Sequence, residues 1–512
     1  MAILGSIIKG IIDIRDTFSS RIDHEVTQVE MLRNLLSLAK DTQFGNYYNF
    51  EEILNSENIE ETFRKKIPYF DYKKINEEWW YKLHKGETNI TWPGKPTYFA
   101  LSSGTTGKKS KRIPITDEMV KSIKDTGIKQ IFTLSNFELS SDFFEKEILM
   151  LGSSTNLNES GNFLEGEISG ISANNIPYWF KGYYKPGDDI AQIDDWDQRV
   201  NQIVKRAKNW DIGAISGIPS WIEIVLQKII SFYNLKNIHE IWPNFQVYTS
   251  GGVAFESYQK SFNALLGKPI TVIDTYLASE GFLAFQTRPE TSSMKLVTDK
   301  GIYFEFVPFK PEYIKEDGSI IQDAPSLKLS EVEENQEYIL IISTVTGAWR
   351  YLIGDTIRFT DIDKIEIKIT GRTKFFLNTV GSQLSVEKLN DAIQFLEEKF
   401  DVKIPEYVLS AKRIDGDFYH CWYLGIESEI NTQQIEESLD SFLKDANKNY
   451  NVARNKALKG IKVKLITLDI FYQWNEKNKK KGGQVKMERV MNEDTFKKWE
   501  KFTDKKLSKI NF

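Results

Sequence analysis

Cysteine is almost missing from this chain of 512 residues. Cys421 is the single one, so no internal disulfide forms, and a reducing compartment, the cytoplasm, is the expected setting. Histidine is scarce too: His24, His84, His239 and His420 stand far apart in sequence, and nothing in their spacing suggests a histidine-rich metal site. An excess of charge of one sign is lacking as well. The net charge of −5 comes from 67 basic and 72 acidic residues, which leaves no basic footprint for a phosphate backbone, and nucleic acid is not an expected partner. Long apolar runs are missing as well. The most apolar stretch, Met1 to Ile14, is too short to span a bilayer. It is broken by Lys9 and Asp13 and lacks the cleavage pattern of a signal peptide. Ile3, Leu4, Ile7, Ile8, Ile11, Ile12 and Ile14 recur at helical spacing, so a helix packed on the body of the protein is expected, with a helix lying on a membrane surface as the lesser reading. Stable membrane insertion is not expected.

What is present describes a folded, multidomain chain. Its length implies about two to four domains, and 41% hydrophobic with 27% charged residues is an ordinary globular balance. A helical pattern from Val26 to about Lys40 is broken at Phe44-Gly45. Strand-like runs at Glu147 to Leu151, Gln246 to Thr249, Thr271 to Ile273, Ile302 to Val307 and Tyr338 to Ser343 then alternate with helical stretches at Asp195 to Asn209 and Pro219 to Tyr233. That alternation predicts an α/β architecture. Beyond Gly371-Arg372 the chain starts afresh. A helix from Val386 to Phe400, strands near Tyr407 to Lys412 and Tyr419 to Ile426, and a helix from Thr432 to Ala446 predict a small α+β domain. The lysine-rich segment Lys477 to Lys481 reads, taken alone, as a solvated loop.

Three clusters carry candidate chemistry. The run Ser102-Ser103-Gly104-Thr105-Thr106-Gly107-Lys108-Lys109 combines hydroxyls, glycines and lysines, which is what a polyphosphate needs: many donors converging on an approachable backbone. A Walker A loop would have glycine where Ser102 stands and Ser or Thr where Lys109 stands, so the usual P-loop reading fails at two positions. A polar surface turn is the plain alternative. Second, Thr275-Tyr276-Leu277-Ala278-Ser279-Glu280-Gly281 follows a strand-like run, and ligands of α/β sheets gather at the carboxyl ends of strands. Tyr276 is placed to flank a base, and Glu280 to hold Mg²⁺ against phosphate oxygens; a packed tyrosine beside a solvated glutamate is the commoner outcome. Third, Trp349-Arg350-Tyr351-Leu352-Ile353-Gly354-Asp355 and Gly371-Arg372-Thr373-Lys374 offer a carboxylate for ribose hydroxyls and an arginine for phosphate or ribose oxygens. A Gly-Asp pair is otherwise only a turn. Near the end, Gly482 and Gly483 precede Lys486, whose ammonium is suited to charge developing at an acyl phosphate.

Taken in order, these clusters resemble the Gretchen Hagen (auxin-responsive promoter) family of acyl acid amido synthetases, a branch of the acyl-adenylate-forming, firefly luciferase-like superfamily. The likeness is close to full length and nearest to bacterial members. It runs from Thr42 to Phe50 through Ser102 to Lys108, Ser216 to Trp221, Trp242-Pro243-Asn244, Gly251-Gly252-Val253, Thr275 to Gly281, Trp349 to Asp355, Gly371 to Lys374 and Gly483 to Arg489.

The resemblance implies a large doubly wound N-terminal domain, residues 1–372, for adenylation and acyl binding, and a smaller α+β C-terminal lid, residues 373–512. It implies ATP and Mg²⁺ as cofactors and AMP as a product. Ser102, Ser103, Gly104, Thr105, Thr106 and Gly107 would cradle the phosphates. Gly251 and Gly252 would line the adenine pocket, with Thr275, Tyr276 and Ser279 beside the nucleotide. Glu280 would bind Mg²⁺, Asp355 the ribose and Arg372 the nucleotide near the hinge; Lys374 would be the hinge, and Lys486 would stabilise the adenylation transition state. The chain departs from the family in two places. Glu488 stands where a proline usually precedes the arginine, and Gly381-Ser382-Gln383 occupies the region where plant members carry a lysine.

The expected reaction is that of an AMP-forming ligase joining a carboxylic acid to an amine, in all expectation an amino acid. Transfer to a thiol of coenzyme A or of a carrier protein is the rival. A nucleotide-binding protein without turnover is the non-enzymatic one. The aromatic residues Tyr178, Trp179, Phe180, Tyr183, Tyr184 and Trp221 serve core packing first and an aryl-acid pocket second. No histidine stands in a motif that marks it as the base for the amine.

Overall fold

The computed structural model describes residues 23–102, 111–161, 163–252, 255, 258–314, 319–373, 376–377, 382, 384–428, 430–477, 489–491 and 493–510. The expected helix at Met1 to Ile14 and the loop beyond Lys477 lie outside them. The described residues form two compact units, one ending at Thr373 and one beginning at Phe376.

The first unit opens with the helix His24–Ala39, capped by the Asp23 carboxylate, which accepts from the amides of Glu25 and Val26. Leu32, Leu35, Leu36 and Ala39 recur at helical spacing and are buried. A shell of aromatics from the following short helices closes on Trp349, with Phe44 at 5.9 Å and Phe50 at 4.8 Å between ring centroids. Gly347 makes this close approach possible. Its φ is +77°, and a Cβ there would lie 2.5 Å from Thr91 Oγ1.

A small sheet holds β1 (Tyr98–Ser102), β2 (Lys111–Ile115), β4 (Asn158–Ser160) and β5 (Phe163–Gly166) in the order β2-β1-β5-β4. The large sheet has eleven strands. These are β3 (Glu147–Leu151), β6 (Tyr184–Lys185), β7 (Ile212–Gly217), β8 (Val247–Gly251), β9 (Thr271–Ala278), β10 (Gly281–Phe285), β11 (Met294–Leu296), β12 (Ile302–Pro308), β13 (Glu337–Thr344), β14 (Tyr351–Asp361) and β15 (Glu366–Arg372). Their order is β12-β13-β14-β15-β11-β10-β9-β8-β7-β3-β6.

Pairing divides this sheet in two. From β6 through β3, β7 and β8 to β9 every pair is parallel, as the alternation of strands and helices predicts. The helix Pro219–Tyr233, with proline in its first turn, returns the chain from β7 to β8. From β9 to β12 every pair is antiparallel. The sequence reading did not distinguish that half, because β12 and β13 are buried along nearly their whole length and lack the alternation that usually betrays an antiparallel strand.

The second unit is a small α+β domain. β16 (Phe376–Leu377) pairs with β17 (Leu384–Ser385), and β18 (Tyr407–Ile414), β19 (Asp417–Gly425) and β20 (Leu458–Ile466) form a sheet in that order. The helices Val386–Phe400 and Thr432–Ala446 have the expected bounds. β18 and β19 are longer than expected. They meet in a two-residue hairpin at Asp415-Gly416, both with positive φ, 50° and 90°, the backbone that an Asp-Gly pair favours. Val408, Tyr423, Phe471 and Trp499 fill the core of this unit.

Candidate functional site

The parallel strands end in register. Leu151 of β3 pairs with Gly217 of β7, Gly217 with Ser250 of β8, and Ser250 with Asp274 of β9; one residue on, Gly251 pairs with Thr275. The carboxyl edge of a parallel sheet is where ligands bind, and here it is built from small residues. The Thr275 hydroxyl donates to the Ser250 carbonyl at 2.8 Å. A Cβ on Gly251 would stand 3.1 Å from that hydroxyl, and Gly252 has φ +82°, so both glycines answer to local geometry. The sequence reading placed the Thr275 cluster just past a strand. In the structure β9 continues to Ala278, with Ile273 and Tyr276 buried three residues apart instead of in alternation. Thr275 and Tyr276 are therefore strand residues.

Ser279 and Glu280 form the two-residue connection to β10, where Gly281 pairs back to Ala278. Ser279 is half-buried and Glu280 is 5% exposed. β11 touches β15 only at its first two residues, Glu366 and Ile367. Near the opposite end of β15, the Tyr276 hydroxyl of β9 donates to Asp355 Oδ2 of β14 at 2.5 Å. Both residues are buried. Asp355 sits at a bulge. β14 pairs with β13 at Leu352↔Ile341 and again at Thr356↔Ile339, leaving extra residues between, and Gly354 takes φ +93° there. Across β14 and β15 the backbone of Asp355 faces that of Arg372.

Gly251, Gly252, Thr275 and Tyr276 thus lie along one edge, Tyr276 reaches Asp355, and Glu280 follows in the same hairpin. Ser103, Gly104, Thr105, Thr106, Gly107, Lys374 and Lys486 lie outside the described residues. Ser102 and Arg372 are described by their backbones, at the ends of β1 and β15.

The sequence reading left Arg350 open as a partner for a ligand's oxygens. The structure corrects this: its guanidinium is taken up inside the fold. Nε lies 3.1 Å from both Glu305 oxygens, and the remaining nitrogens donate to Ser326 Oγ and the carbonyls of Arg64 and Ile67. Tyr351 was missed. It is completely buried, and the Glu280 carboxylate stands next to its phenol; burial first, and then that charge, push the phenol well above its ordinary value. No local signal joins residues so far apart in sequence.

Of the aromatics considered for an acyl pocket, Trp221 and Tyr184 are buried, and Trp221 packs on Trp196 at 5.3 Å. Tyr178 is 90% exposed. Burial lowers the imidazoles of His24 and His84 to about 4 and that of His420 to about 3. His239 is held between the Phe245 carbonyl and the Gly267 amide.

Residues 20–204 match the GH3 family N-terminal domain, residues 295–372 its central domain, and residues 387–495 its C-terminal domain. The chain belongs to the GH3 family. Among curated relatives, this GH3 chain is 27% identical over 217 residues to indole-3-acetic acid-amido synthetase GH3.10 of Arabidopsis thaliana, an alignment covering 39% of the chain and 36% of that protein. It therefore spans little more than a third of that relative's length in alignment. With jasmonoyl-L-amino acid synthetase GH3.5 of Oryza sativa subsp. japonica it shares 23% identity over 453 residues, 73% of the chain and 76% of the relative. A solved GH3.15 acyl acid amido synthetase superposes with a TM-score of 0.58 at 15% identity, covering 97% and 96% of the two chains. A 2-hydroxyisobutyryl-CoA ligase in complex with 2-HIB-AMP and CoA gives 0.55 at 12% identity, covering 94% and 92%. The fold of this GH3 protein is thus that of the adenylate-forming enzymes, with a large doubly wound α/β N-terminal domain and a smaller α+β C-terminal one. No helix among the described residues is long and apolar enough to cross a membrane.

Proposed function

We propose that this GH3 chain is an ATP-dependent acyl acid amido synthetase of the cytoplasm. It adenylates a carboxylic acid and then passes the acyl group to an amine, an amino acid, releasing AMP. The observation that carries the reading is the Tyr276–Asp355 contact across the carboxyl edge, next to Gly251, Gly252 and Thr275 and one hairpin turn from Glu280.

A free carboxylate resists nucleophiles because its charge repels them and its leaving group would be oxide. In the first step a carboxylate oxygen attacks the α-phosphorus, forming a C–O–P linkage while the bond to pyrophosphate breaks. In the second, the amine nitrogen attacks the acyl carbon, the C–N bond forms, AMP leaves with the C–O bond electrons, and the nitrogen sheds a proton. Asp355, whose Oδ2 accepts from the Tyr276 hydroxyl, holds the ribose hydroxyls. Gly251 and Gly252 let the adenine lie close to the backbone, beside Thr275, Tyr276 and Ser279. The phosphates fall to Ser102, Ser103, Gly104, Thr105, Thr106 and Gly107. Arg372 contacts the nucleotide beside the hinge Lys374, and Lys486 meets the charge of the first transition state.

The donor set suits Mg²⁺: one buried carboxylate, Glu280, is what a cation shared with phosphate oxygens and water requires. When bound there, the cation supplies charge neutralisation at the phosphates. Residues 1–372 would carry adenylation and acyl binding, and residues 373–512 the lid. The bacterial affinity belongs to this proposal too.

A pyrophosphate-exchange screen over diverse carboxylic acids, followed by mass spectrometry of products formed with pooled amino acids, tests the reading. Acid-dependent exchange and an amide mass are expected. A thioester formed with coenzyme A in place of an amide overturns the acceptor, and ATP binding without exchange for any acid overturns the enzyme.

A further inference from the structure

Two of the candidate nucleotide groups stand on different sheets: Asp355 on β14 of the large sheet, and Ser102 at the end of β1 in the small one. One short segment of chain touches both places. Phe70 forms a parallel bridge with Tyr351 of β14; its amide donates to the Arg350 carbonyl at 3.0 Å, and its carbonyl accepts from the Leu352 amide at 2.7 Å. Two residues on, the Tyr72 hydroxyl accepts from the backbone amide of Arg112 on β2 at 2.9 Å. β2 is the outer strand of the small sheet, and its residues Lys111 and Arg112 pair with Ser102 and Leu101 of β1. An outer strand has amides that no neighbouring strand receives, and here a phenol takes one of them.

Tyr72 is itself tied back to β14. It opens the helix Tyr72–Ile75, whose cap Asp71 accepts from the Lys74 amide at 2.8 Å. Its ring lies edge-on to Trp80 with centroids 6.2 Å apart, and Trp80 stacks on the buried Tyr351 at 5.7 Å. Lys111 Nζ stands 5.6 Å from the centroid of the Tyr72 ring. The Arg112 guanidinium lies 4.8 Å from the centroid of the Phe99 ring and pairs with Glu165 of β5, so Arg112 is held by its backbone to Tyr72 and by its side chain to β1 and β5.

We propose that Tyr72 is a positioning residue for the phosphate end of the nucleotide: by fixing β2 at Arg112 it holds Ser102, where the phosphate-cradling run begins, in place relative to the strand that carries Asp355. The inference rests on the nucleotide reading above and deepens it. Ribose and polyphosphate belong to one molecule, so the groups that receive its two ends work together only at a fixed separation, and a misplacement on the order of 1 Å is felt. AMP, which ends at its α-phosphate, makes less use of the cradle than ATP does.

The test is equilibrium binding of ATP with Mg²⁺ and, separately, of AMP, with thermal unfolding of each ligand-free protein alongside. Tyr72→Phe keeps the ring against Trp80 and removes the acceptor. It is expected to bind ATP about fivefold more weakly, the scale of one neutral hydrogen bond, and to bind AMP as the wild type does. Glu165→Gln, which loosens Arg112 through its side chain, is expected to show the same loss for ATP alone. Tyr276→Phe, acting through Asp355 on the ribose that both ligands share, is expected to weaken ATP and AMP alike. A bond that served only the architecture would lower the unfolding midpoint and leave the ratio of ATP to AMP affinity at the wild-type value. That unchanged ratio in Tyr72→Phe, or in Glu165→Gln should the first variant not fold, overturns the positioning role while leaving the nucleotide reading intact. A wild-type protein that binds neither ATP nor AMP overturns both.

Discussion

Within a few residues of β14 the protein buries two polar clusters of opposite character. Around Arg350 every donor is matched: Glu305 takes the charge, and Ser326, Arg64 and Ile67 take the rest. The two side chains are 5% and 1% exposed. Arg350 is held at φ +40° by this network, which clamps the N-terminal helices to the sheet. Around Asp355 and Glu280 the carboxylates meet phenols, Tyr276 at Asp355 and Tyr351 beside Glu280. A guanidinium locked by a carboxylate and three further acceptors contributes architecture, whereas carboxylates gathered with phenols at the carboxyl edge of a sheet are candidates for a ligand. The contrast teaches that burial and charge alone do not mark a site; the state of the partners does.

The strongest challenge to this distinction is Glu305→Ala. It strands a buried guanidinium and is expected to cost about 3–5 kcal/mol of stability, read by chemical denaturation. An equally stable variant would remove the architectural half of the comparison. Next is Asp355→Asn, expected to lower pyrophosphate exchange about 100-fold, two or so lost charge-assisted hydrogen bonds, with little change in unfolding midpoint. Loss of folding instead of exchange would place Asp355 with Arg350.

A third buried polar group, in the second unit, sharpens the architectural side through pH. His420 is wholly buried with Nε2 3.2 Å from Ser382 Oγ, and burial, with Arg454 adding to it, lowers its imidazole from 6.5 to about 3. The unfolded chain takes up a proton below 6.5 and the folded one does not until about 3. Stability therefore falls as pH drops through that window, by roughly 1.4 kcal/mol per pH unit for this group. Denaturation of wild type and His420→Gln between pH 7 and 5 is expected to show a shallower pH slope in the variant. The smallest effect is that of Tyr276→Phe, about tenfold in ATP affinity from one hydrogen bond. A larger loss than that of Asp355→Asn would mean the ring, not the hydroxyl, carries the contact.

The helices were readable because caps and apolar periods are local: Pro219–Tyr233, Val386–Phe400 and Thr432–Ala446 have the bounds expected. Strand ends were less legible. β9 runs on through Thr275 to Ala278, where the buried residues Ile273 and Tyr276 stand three apart and no two-residue period exists to be read, and the Asp415-Gly416 turn signal lay unread between β18 and β19. In the site, Glu280 and Asp355 stood out as acids in short motifs, but Tyr351 looked like any strand aromatic, and Arg350 looked as available as Arg372.

Local spacing, with no help from distant residues, determined the helices, the parallel half of the large sheet, the α+β character of the second unit and the cluster order that leads to the GH3 family. Only the tertiary structure decided that Tyr276 bonds Asp355, that Tyr351 faces Glu280 and that Arg350 is spent on Glu305. Each is a meeting of residues more than forty positions apart. Whether a buried charge is already satisfied depends on what the folded chain brings within a few ångströms of it, and no sequence window contains that information.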